Sequence, residues 1–258
     1  MTDVADESEG LVRLSTILAS ARRILVFTGA GISTASGIPD YRGPKGVWNT
    51  RRPVFYQDFM ASRMARIEYW NQKSEDRNAF RSARPNPVHH AVVALEQAGR
   101  VEIVVTQNVD GLHRVAGTSE ERLVEIHGTN GLVECQTCGI RVDPAEPFRS
   151  FAETGEPPVC ACGGFLKPAT ISFGQELRPD DLARAFEGAR RADAVLALGS
   201  TLLVTPAADI PLEAARSGCC YIIVNRGPTE HDTSPFVSLR IDGDVGAVFP
   251  KAVDQALN

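Results

Sequence analysis

The chain has 258 residues, a length that can build one large domain or two unequal ones. Its hydrophobic content of 43% and its charged content of 23% are typical of a soluble globular protein. The formal net charge of -5 argues against a non-specific nucleic-acid binder, because such proteins usually carry a basic stripe. No apolar run approaches the roughly 20 residues of a membrane span, and the acidic start of the chain is unlike an export signal. We therefore expect a cytoplasmic protein with no membrane partner and no direct nucleic-acid partner.

The spacing of apolar residues predicts helices that alternate with short buried strands. A helix is expected over 11–23, because Leu11, Leu14 and Leu18 recur at helical spacing. Small helices are expected within 55–80, and another is expected to begin at Pro87, since proline suits the first helical position. The other predicted elements are strands over 23–28, 101–106, 123–126, 193–199 and 220–225, and helices over 179–192 and 245–257. This alternation predicts an α/β fold with a parallel, doubly wound sheet.

A glycine-rich loop follows the first of these strands. Ligands bind at the carboxyl ends of strands in such sheets, and the backbone of Gly29-Ala30-Gly31 can approach a pyrophosphate closely. Thr34 stands where the dehydrogenase fingerprint has its third glycine, and no acidic residue after a second strand offers itself for a ribose. A hydride-transfer Rossmann enzyme is therefore disfavoured. An ordinary strand-to-helix turn is the alternative interpretation of the loop.

Polar side chains also follow the later strands. Gln107, Asn108 and Asp110 come after the 101–106 strand, where amides and carboxylates can fix ribose hydroxyls and a carboxamide, although turn capping explains the same residues. His127 ends the 123–126 strand and precedes Gly128. An imidazole there can act as a general base near neutral pH, and a structural histidine is the alternative.

Four cysteines form one module between about 130 and 168. Cys135-x-x-Cys138 is separated by 21 residues from Cys160-x-Cys162, and no histidine lies between residues 128 and 230. Four thiolates at this spacing suit one tetrahedral Zn²⁺ in a closed structural site, although unliganded buried cysteines are the alternative. The adjacent pair Cys219-Cys220 opens a predicted strand and is interpreted as core.

Taken in order, these segments resemble the sirtuin family of NAD-dependent protein deacylases, from about residue 24 to residue 250. The matching segments are Gly29-Ala30-Gly31-Ile32-Ser33, Gly37-Ile38-Pro39-Asp40-Tyr41-Arg42-Gly43, Thr106-Gln107-Asn108-Val109-Asp110-Gly111-Leu112-His113, His127-Gly128, the four cysteines, Phe173-Gly174, Gly199-Ser200, Val204-x-Pro206 and Asn225. The first loop, Asp40 to Trp48, resembles that of the nuclear, chromatin-associated branch. Tyr69-Trp70-Asn71-Gln72 does not supply the Tyr-x-x-Arg pair of the succinyl-removing branch, so an acidic-acyl specialist is disfavoured. Gln175 stands where the family usually has Glu.

The resemblance implies a large Rossmann-like domain and a small zinc-ribbon and helical domain. The large domain would comprise 11–52, 86–130 and 169–258, and the small domain 53–85 and 131–168. The implied catalytic residues are His127, Asn108 and Asp110. The implied NAD-binding residues are Gly29, Ala30, Gly31, Thr34, Asp40, Tyr41, Arg42, Trp48, Gln107, Asn108, Asp110, Gly199, Ser200, Thr201, Asn225, Arg226 and Val245. The implied zinc ligands are Cys135, Cys138, Cys160 and Cys162.

The implied activity is removal of an acyl group, above all acetyl, from lysine in a protein or peptide, with transfer of that group to ADP-ribose and release of nicotinamide. Mono-ADP-ribosyl transfer in the same cleft is the first alternative. The second alternative is an NAD-sensing binding module with weak or no turnover. The oligomeric state and the physiological substrate do not follow from the sequence.

Overall fold

The computed structural model describes residues 4–43 and 46–258, so Pro44 and Lys45 of the first loop lie outside the described residues. The strands are β1 Val4–Ala5, β2 Ile24–Thr28, β3 Val101–Thr106, β4 Leu123–Glu125, β5 Gly128–Cys135, β6 Arg141–Val142, β7 Leu166–Thr170, β8 Ala194–Leu198, β9 Cys220–Asn225 and β10 Val237–Asp242. The helices are α1 Glu7–Ser20, α2 Tyr56–Ala61, α3 Arg63–Ser82, α4 Pro87–Gln97, α5 Leu112–Ala116, α6 Ala145–Thr154, α7 Pro179–Arg191, α8 Asp209–Arg216 and α9 Val245–Leu257. Short 3₁₀ helices cover Ala30–Ser36 and Val47–Asn49. Within these ranges no helix is both long enough and apolar enough to span a bilayer.

Seven strands of the described chain form one parallel sheet in the order β1-β10-β9-β8-β2-β3-β4. Every residue of β2 and β8 is buried, as expected of central strands covered on both faces. Because β9, β8, β2 and β3 are neighbours, the four polar strand ends singled out in the sequence lie side by side at one edge. The predicted α/β class with a parallel, Rossmann-like sheet is confirmed.

Helices cover both faces of this sheet. Leu14 and Leu18 of α1, Val92 of α4 and Phe249 of α9 pack together on one face. The helices α7 and α8 pack on the other face, where Gly188 of α7 lies so close to β3 that a Cβ there would be 2.6 Å from an Ile103 methyl carbon. Both faces of the sheet are therefore covered, while its carboxyl edge carries the polar strand ends.

A second core lies beside the sheet. The strands β6, β5 and β7 form an antiparallel sheet, and its apolar face packs against α2, α3 and α6. Trp70 of α3 is fully buried there against Phe148 and Phe151, and its indole N–H donates to the carbonyl of Leu166 at 3.2 Å. This hydrogen bond ties the long helix to the cysteine-bearing sheet.

The structure corrects several predicted boundaries. The helix expected over 11–23 begins at Glu7, because the Asp6 carboxylate accepts hydrogen bonds from the backbone N–H groups of Ser8 and Glu9. It ends at Ser20, since the Asp193 carboxylate accepts the next free backbone N–H groups at Arg22 and Arg23. The small helices expected over 55–80 are one short helix and one of 20 residues. The elements additional to the predicted ones are the strands β1, β5, β6, β7 and β10 and the helices α5, α6 and α8.

Candidate active site

A cleft of about 660 Å³ lies between the carboxyl edge of the parallel sheet and the wall formed by α3, β7 and the segment after β7. Most of the predicted NAD-binding and catalytic residues line it. They are Ala30, Gly31, Asp40, Tyr41, Arg42, Trp48, Gln107, Asn108, His127, Gly199, Ser200, Thr201, Asn225 and Arg226. Segments far apart in sequence therefore converge on one concave site, which is the usual form of a small-molecule site.

The glycines of the first loop allow two strand ends to meet. A Cβ on Gly29 would lie 2.6 Å from the carbonyl oxygen of Gly199, and one on Gly31 would lie 2.9 Å from the Cα of Gly199. The N–H groups of Gly29 and Gly31 donate to the carbonyls of Leu198 and Gly199. Gly29 thus serves the junction of β2 and β8 and does not line the cleft, whereas Gly31 does both.

A hydrogen-bond chain fixes Asn108 at the bottom of the cleft. The Asn108 amide nitrogen donates to the carbonyl of Gly29 at 3.1 Å and to the hydroxyl of Ser33 at 3.0 Å. The Ser33 hydroxyl in turn donates to the Asp110 carboxylate at 2.7 Å. Since these contacts use both amide hydrogens, the group that Asn108 leaves for a ligand is its carbonyl oxygen.

Asp110 acts through that chain and does not line the cleft. Its second carboxylate oxygen accepts the backbone N–H of Leu112 at 2.8 Å, at the start of α5. Burial raises the pKa of this carboxyl group, while the hydrogen bonds from Leu112 and Ser33 lower it in part. The structure therefore places Asp110 behind Asn108 and Ser33, where it orients them.

His127 lies where the chain leaves β4 and enters β5, and its ring lines the cleft. Its Nδ1 atom is 3.2 Å from the carbonyl oxygen of Gln107. A carbonyl can only accept, so Nδ1 carries the hydrogen and Nε2 keeps a free lone pair. Burial lowers the pKa of His127 to about 4, with a further lowering from the charge of Arg42. The imidazole is therefore neutral at pH 7, which is the state that a general base requires.

The ends of β3, β8 and β9 supply further polar groups. The Ser200 hydroxyl donates to the side-chain oxygen of Gln107 at 2.6 Å, which leaves the Gln107 amide N–H groups for a ligand. The Asn225 amide donates to the carbonyls of Arg226 and Gly227 at 3.1 Å each, so that it holds the turn after β9. The cleft consequently offers both donors and acceptors, as the ribose and carboxamide of a dinucleotide require.

The first loop closes one side of the cleft. Tyr41 and Trp48 stack with ring centroids 5.2 Å apart, and the backbone N–H of Trp48 donates to the carbonyl of Tyr41. The Asp40 carboxylate accepts the backbone N–H of Gly43 at 2.9 Å. Asp40 therefore closes a turn with its own loop, and the Arg42 side chain two residues on is exposed beside the cleft.

Four of the predicted NAD-binding residues lie outside the cleft: Gly29 and Asp110, described above, and Thr34 and Val245. The Thr34 hydroxyl donates to the carbonyl of Gly31 and faces solvent within the 3₁₀ turn. Val245 opens α9 and is buried in the core of the parallel sheet. Local packing therefore accounts for Thr34 and Val245 in this structure.

The cleft is also lined by residues for which the sequence predicts no catalytic or cofactor-binding role. Four residues of α3 line it at intervals of three and four, which place them on one face of the helix: Tyr69, Gln72, Lys73 and Asp76. This spacing is the sequence pattern that indicates a shared position. Phe173 packs on Trp48 with centroids 6.1 Å apart. The Gln175 side chain accepts the backbone N–H of Ser172 at 3.1 Å. A carboxylate oxygen can accept the same bond, so Gln175 closes this turn as Glu would.

The four predicted zinc ligands come together at one end of the small sheet. The sulfur atoms of Cys135 and Cys162 are 3.5 Å apart, those of Cys138 and Cys160 are 3.8 Å apart, and all four lie within 4.8 Å of one another. A tetrahedron of Zn–S bonds of about 2.3 Å has sulfur–sulfur edges of about 3.8 Å. The four cysteines therefore fit one Zn²⁺ with no open position, and the site is structural.

Comparison with known proteins agrees with this geometry. The Sir2 family model matches residues 29–206. "NAD-dependent protein deacetylase 1" of Bradyrhizobium diazoefficiens is 40% identical over 92% of this chain and 94% of its own length. "NAD-dependent protein deacylase 2" of Archaeoglobus fulgidus is 38% identical over 94% of each chain.

Solved structures give the same result. One described as a Sir2 enzyme with a deacetylated p53 peptide and 3'-O-acetyl ADP-ribose superposes with a TM-score of 0.85 at 32% identity, covering 95% of this chain and 97% of that one. A Sir2 homologue in complex with NAD gives a TM-score of 0.82 at 31% identity, covering 95% of this chain and 93% of the other. On the matched motifs, the shared fold and the identity over nearly its whole length, this chain belongs to the Sir2 family.

Proposed function

We propose that this protein is an NAD-dependent protein-lysine deacylase that acts above all as a deacetylase. The observation that carries the proposal is the neutral His127 imidazole, whose Nε2 lone pair is free in a cleft that also presents Asn108 and Gln107. A general base and groups suited to a ribose and a carboxamide thus share one cavity. Relatives that carry the name NAD-dependent protein deacetylase, at 40 and 41% identity, support the same conclusion.

NAD would supply a ribose carbon from which nicotinamide leaves. The Asn108 carbonyl would bind the nicotinamide end of the cofactor, while Ser33 and Asp110 keep the Asn108 amide from rotating. Polar groups held in this way stabilise developing charge without reorganising. His127 would take a proton from a ribose hydroxyl at Nε2, so that the acyl group passes to ADP-ribose. The cleft would hold the acyl oxygen against the ribose carbon, since an amide oxygen is a weak nucleophile.

The remaining cleft residues are assigned to the cofactor by position. We propose that Ala30, Gly31, Asp40, Tyr41, Arg42 and Trp48 contact NAD from the first loop. Gly199, Ser200, Thr201, Asn225 and Arg226 would hold its phosphate and adenosine end at the ends of β8 and β9. The acyl-lysine peptide would enter from the side of α3 and Phe173.

The same proposal divides the chain into two domains. The large domain comprises 11–52, 86–130 and 169–258, and the small domain comprises 53–85 and 131–168. The separate aromatic core around Trp70 supports this division. A reducing, cytoplasmic location fits the six cysteines of the described chain, all of which are unpaired.

The deciding experiment mixes acetyl-lysine peptide, NAD and zinc-loaded protein and follows deacetylated peptide and nicotinamide by mass spectrometry. We expect the two products to appear one for one in the wild type and to disappear in His127→Ala. ADP-ribose on a protein acceptor, without peptide deacylation, would instead identify a mono-ADP-ribosyltransferase. NAD binding without any turnover would identify a sensing module.

A further inference from the structure

A lysine is buried in the wall of the cleft. Lys167 of β7 is 1% exposed, and it lies outside the catalytic and cofactor-binding set assigned above. Within the described residues the hydrogen-bond partners of its ammonium are all oxygen atoms, and none of them belongs to a carboxylate. These are the carbonyls of Pro168, at 3.3 Å, and of Thr170, the hydroxyl of Ser172, at 3.3 Å, and the phenol of Tyr69, at 3.5 Å. Burying a charge is costly, so this arrangement calls for a physical explanation.

The oxygens that Lys167 gathers belong to residues of the cleft. Thr170, Ser172 and Tyr69 all line it, whereas Lys167 stands behind them. The Tyr69 and Thr170 hydroxyls are also hydrogen-bonded to each other at 3.0 Å. One ammonium therefore joins α3 to the end of β7, the two elements that form the wall opposite the parallel sheet.

The same wall is bonded to the candidate base. The backbone N–H of Ile171 donates to the carbonyl of His127 at 2.8 Å. Ile171 stands between Thr170 and Ser172, the two residues that Lys167 holds. The position of the ammonium is thus coupled to the position of His127 through one residue of backbone.

The charges around Lys167 act in both directions. Burial and the charge of Lys73 lower the pKa of Lys167, while the nearby Tyr69 and Glu134 raise it in part. Burial raises the pKa of Tyr69, but the charges of Lys167 and Lys73 and hydrogen bonds from Thr170 and Ser172 lower it to about 7 overall. The phenol is therefore the ionisable group that can balance the buried ammonium.

We propose that Lys167 is a positioning residue for the acyl-peptide side of the cleft. Its ammonium fixes the Thr170–Ser172 segment and the Tyr69 hydroxyl, so that an acyl-lysine side chain entering along this wall meets His127 at the correct distance. This inference rests on the proposed deacylase function. It assigns Lys167 to the binding of the peptide and not to the binding of NAD, whose predicted contacts lie across the cleft.

The test compares Lys167→Met and Lys167→Arg with the matched control Lys251→Met, since Lys251 is exposed on α9. The kcat and KM for acetyl-lysine peptide are measured at saturating NAD, and the affinity for NAD alone is measured by calorimetry. We expect the peptide KM to rise about tenfold in Lys167→Met, which corresponds to about 1.4 kcal/mol. The affinity for NAD should stay within about twofold. Lys167→Arg, which keeps the charge, should recover most of the peptide KM.

Three outcomes are distinct. A wild-type protein that binds NAD but does not deacylate the peptide would overturn the proposed function itself. An active wild type with an unchanged peptide KM in Lys167→Met would overturn the role of Lys167 alone. A parallel loss of peptide binding and NAD binding would also overturn the role of Lys167, because it would show that the substitution disturbs the whole cleft. If Lys167→Met does not fold, the same measurements are made on Lys167→Gln, which keeps two N–H donors in the buried site.

Discussion

At the scale of single residues, burial and one backbone carbonyl set the chemical state of His127. The carbonyl of Gln107 fixes which ring nitrogen carries the hydrogen, and burial keeps the ring neutral. Asn108 is held in the same way, because Ser33 and Gly29 determine which end of its amide faces the cleft. The two groups are preorganised before any ligand arrives.

The neutral His127 predicts the pH dependence of catalysis. A base is active when unprotonated, so kcat/KM should hold from pH 7 down to about 5 and fall as the pH drops through about 4. The pH profile of kcat/KM for acetyl-lysine peptide tests this, with exposed His90→Ala as the control that leaves the profile unchanged. An acidic limb centred at the ordinary imidazole pKa of 6.5 would contradict it.

Polar residues that follow strands are predictable from the sequence, whereas the partners that hold them are not. His127 and Asn108 are predictable because a polar residue just after a buried strand indicates a ligand site. Ser33 bonds to Asp110 and Lys167 bonds to Tyr69, and no local sequence pattern predicts contacts between residues so far apart in the chain. The likeness of the first loop to the nuclear branch stays a prediction, and two of its residues lie outside the described part of the chain.

At the scale of elements, the junction between β4 and β5 depends on one glycine. Gly128 has φ of 75°, and a Cβ there would lie 2.1 Å from the carbonyl oxygen of Ala169. Because Gly128 has no side chain, β7 can approach its backbone closely where the chain passes from the parallel sheet to the antiparallel sheet. The residue that precedes this glycine is His127.

Gly128→Ala should destabilise the protein far more than Gly139→Ala. Both glycines have positive φ, of 75° and 72°, but a Cβ on Gly139 would meet no described atom within 4 Å. The control should lose about 1–2 kcal/mol from the left-handed backbone alone. Gly128→Ala should lose at least about 3 kcal/mol, because a backbone atom must move as well. Urea unfolding of the two variants measures the difference, and equal losses would show that the close approach to Ala169 is unimportant.

The thermal stability of the protein should depend on a zinc ion bound by the four cysteines. We expect one zinc ion per chain by elemental mass spectrometry, and a lower thermal midpoint on chelation, because the ion closes the end of the small sheet. Cys138→Ser should reduce both zinc content and midpoint. Cys220→Ser, at a half-buried position in the large sheet, should keep its zinc. A Cys138→Ser protein with full zinc content would show that the four thiols are not the site.

Five strands of the parallel sheet are predictable because both faces of the sheet are covered, which makes each strand a largely apolar run: β2, β3, β4, β8 and β9. The ends of α1 are not predictable, since contacts of Asp6 and Asp193 set them. The strand β10 interrupts its apolar run with Arg240, which is buried because it pairs with Asp232 at 2.7 Å. A buried ion pair of this kind places a charged residue within a strand, so the hydrophobicity pattern does not predict that strand.

At the scale of the whole molecule, burial lowers the pKa of four of the five histidines in the folded state, His231 among them. Burial lowers the pKa of His89 to about 4, that of His113 to about 3 and that of His127 to about 4. The rings of His89 and His113 lie 5.0 Å apart, and each has a buried nitrogen without a partner in the described structure. Unfolding would release these rings to water, where they take up protons near pH 6.5.

The free energy of unfolding should therefore fall as the pH falls from about 6.5 to about 4. The unfolded chain binds more protons than the folded one across that range, so stability rises with pH. Thermal midpoints measured at several pH values test this, and His113→Gln, which keeps a donor toward Thr28, should flatten the slope. The raised pKa of Asp110 opposes the trend at the acid end, since its protonation favours the folded state. A midpoint that rises on acidification to pH 5 would contradict the assignment.

The chain crosses from the parallel sheet to the small sheet at His127, so the candidate base is attached to both. Its backbone belongs to the large sheet through β4 and to the small sheet through the bond from Ile171. A change that shifts one sheet against the other should therefore also shift the imidazole. We accordingly expect a change in the distant zinc knuckle, which lies on the small sheet, to alter kcat without touching a reacting atom.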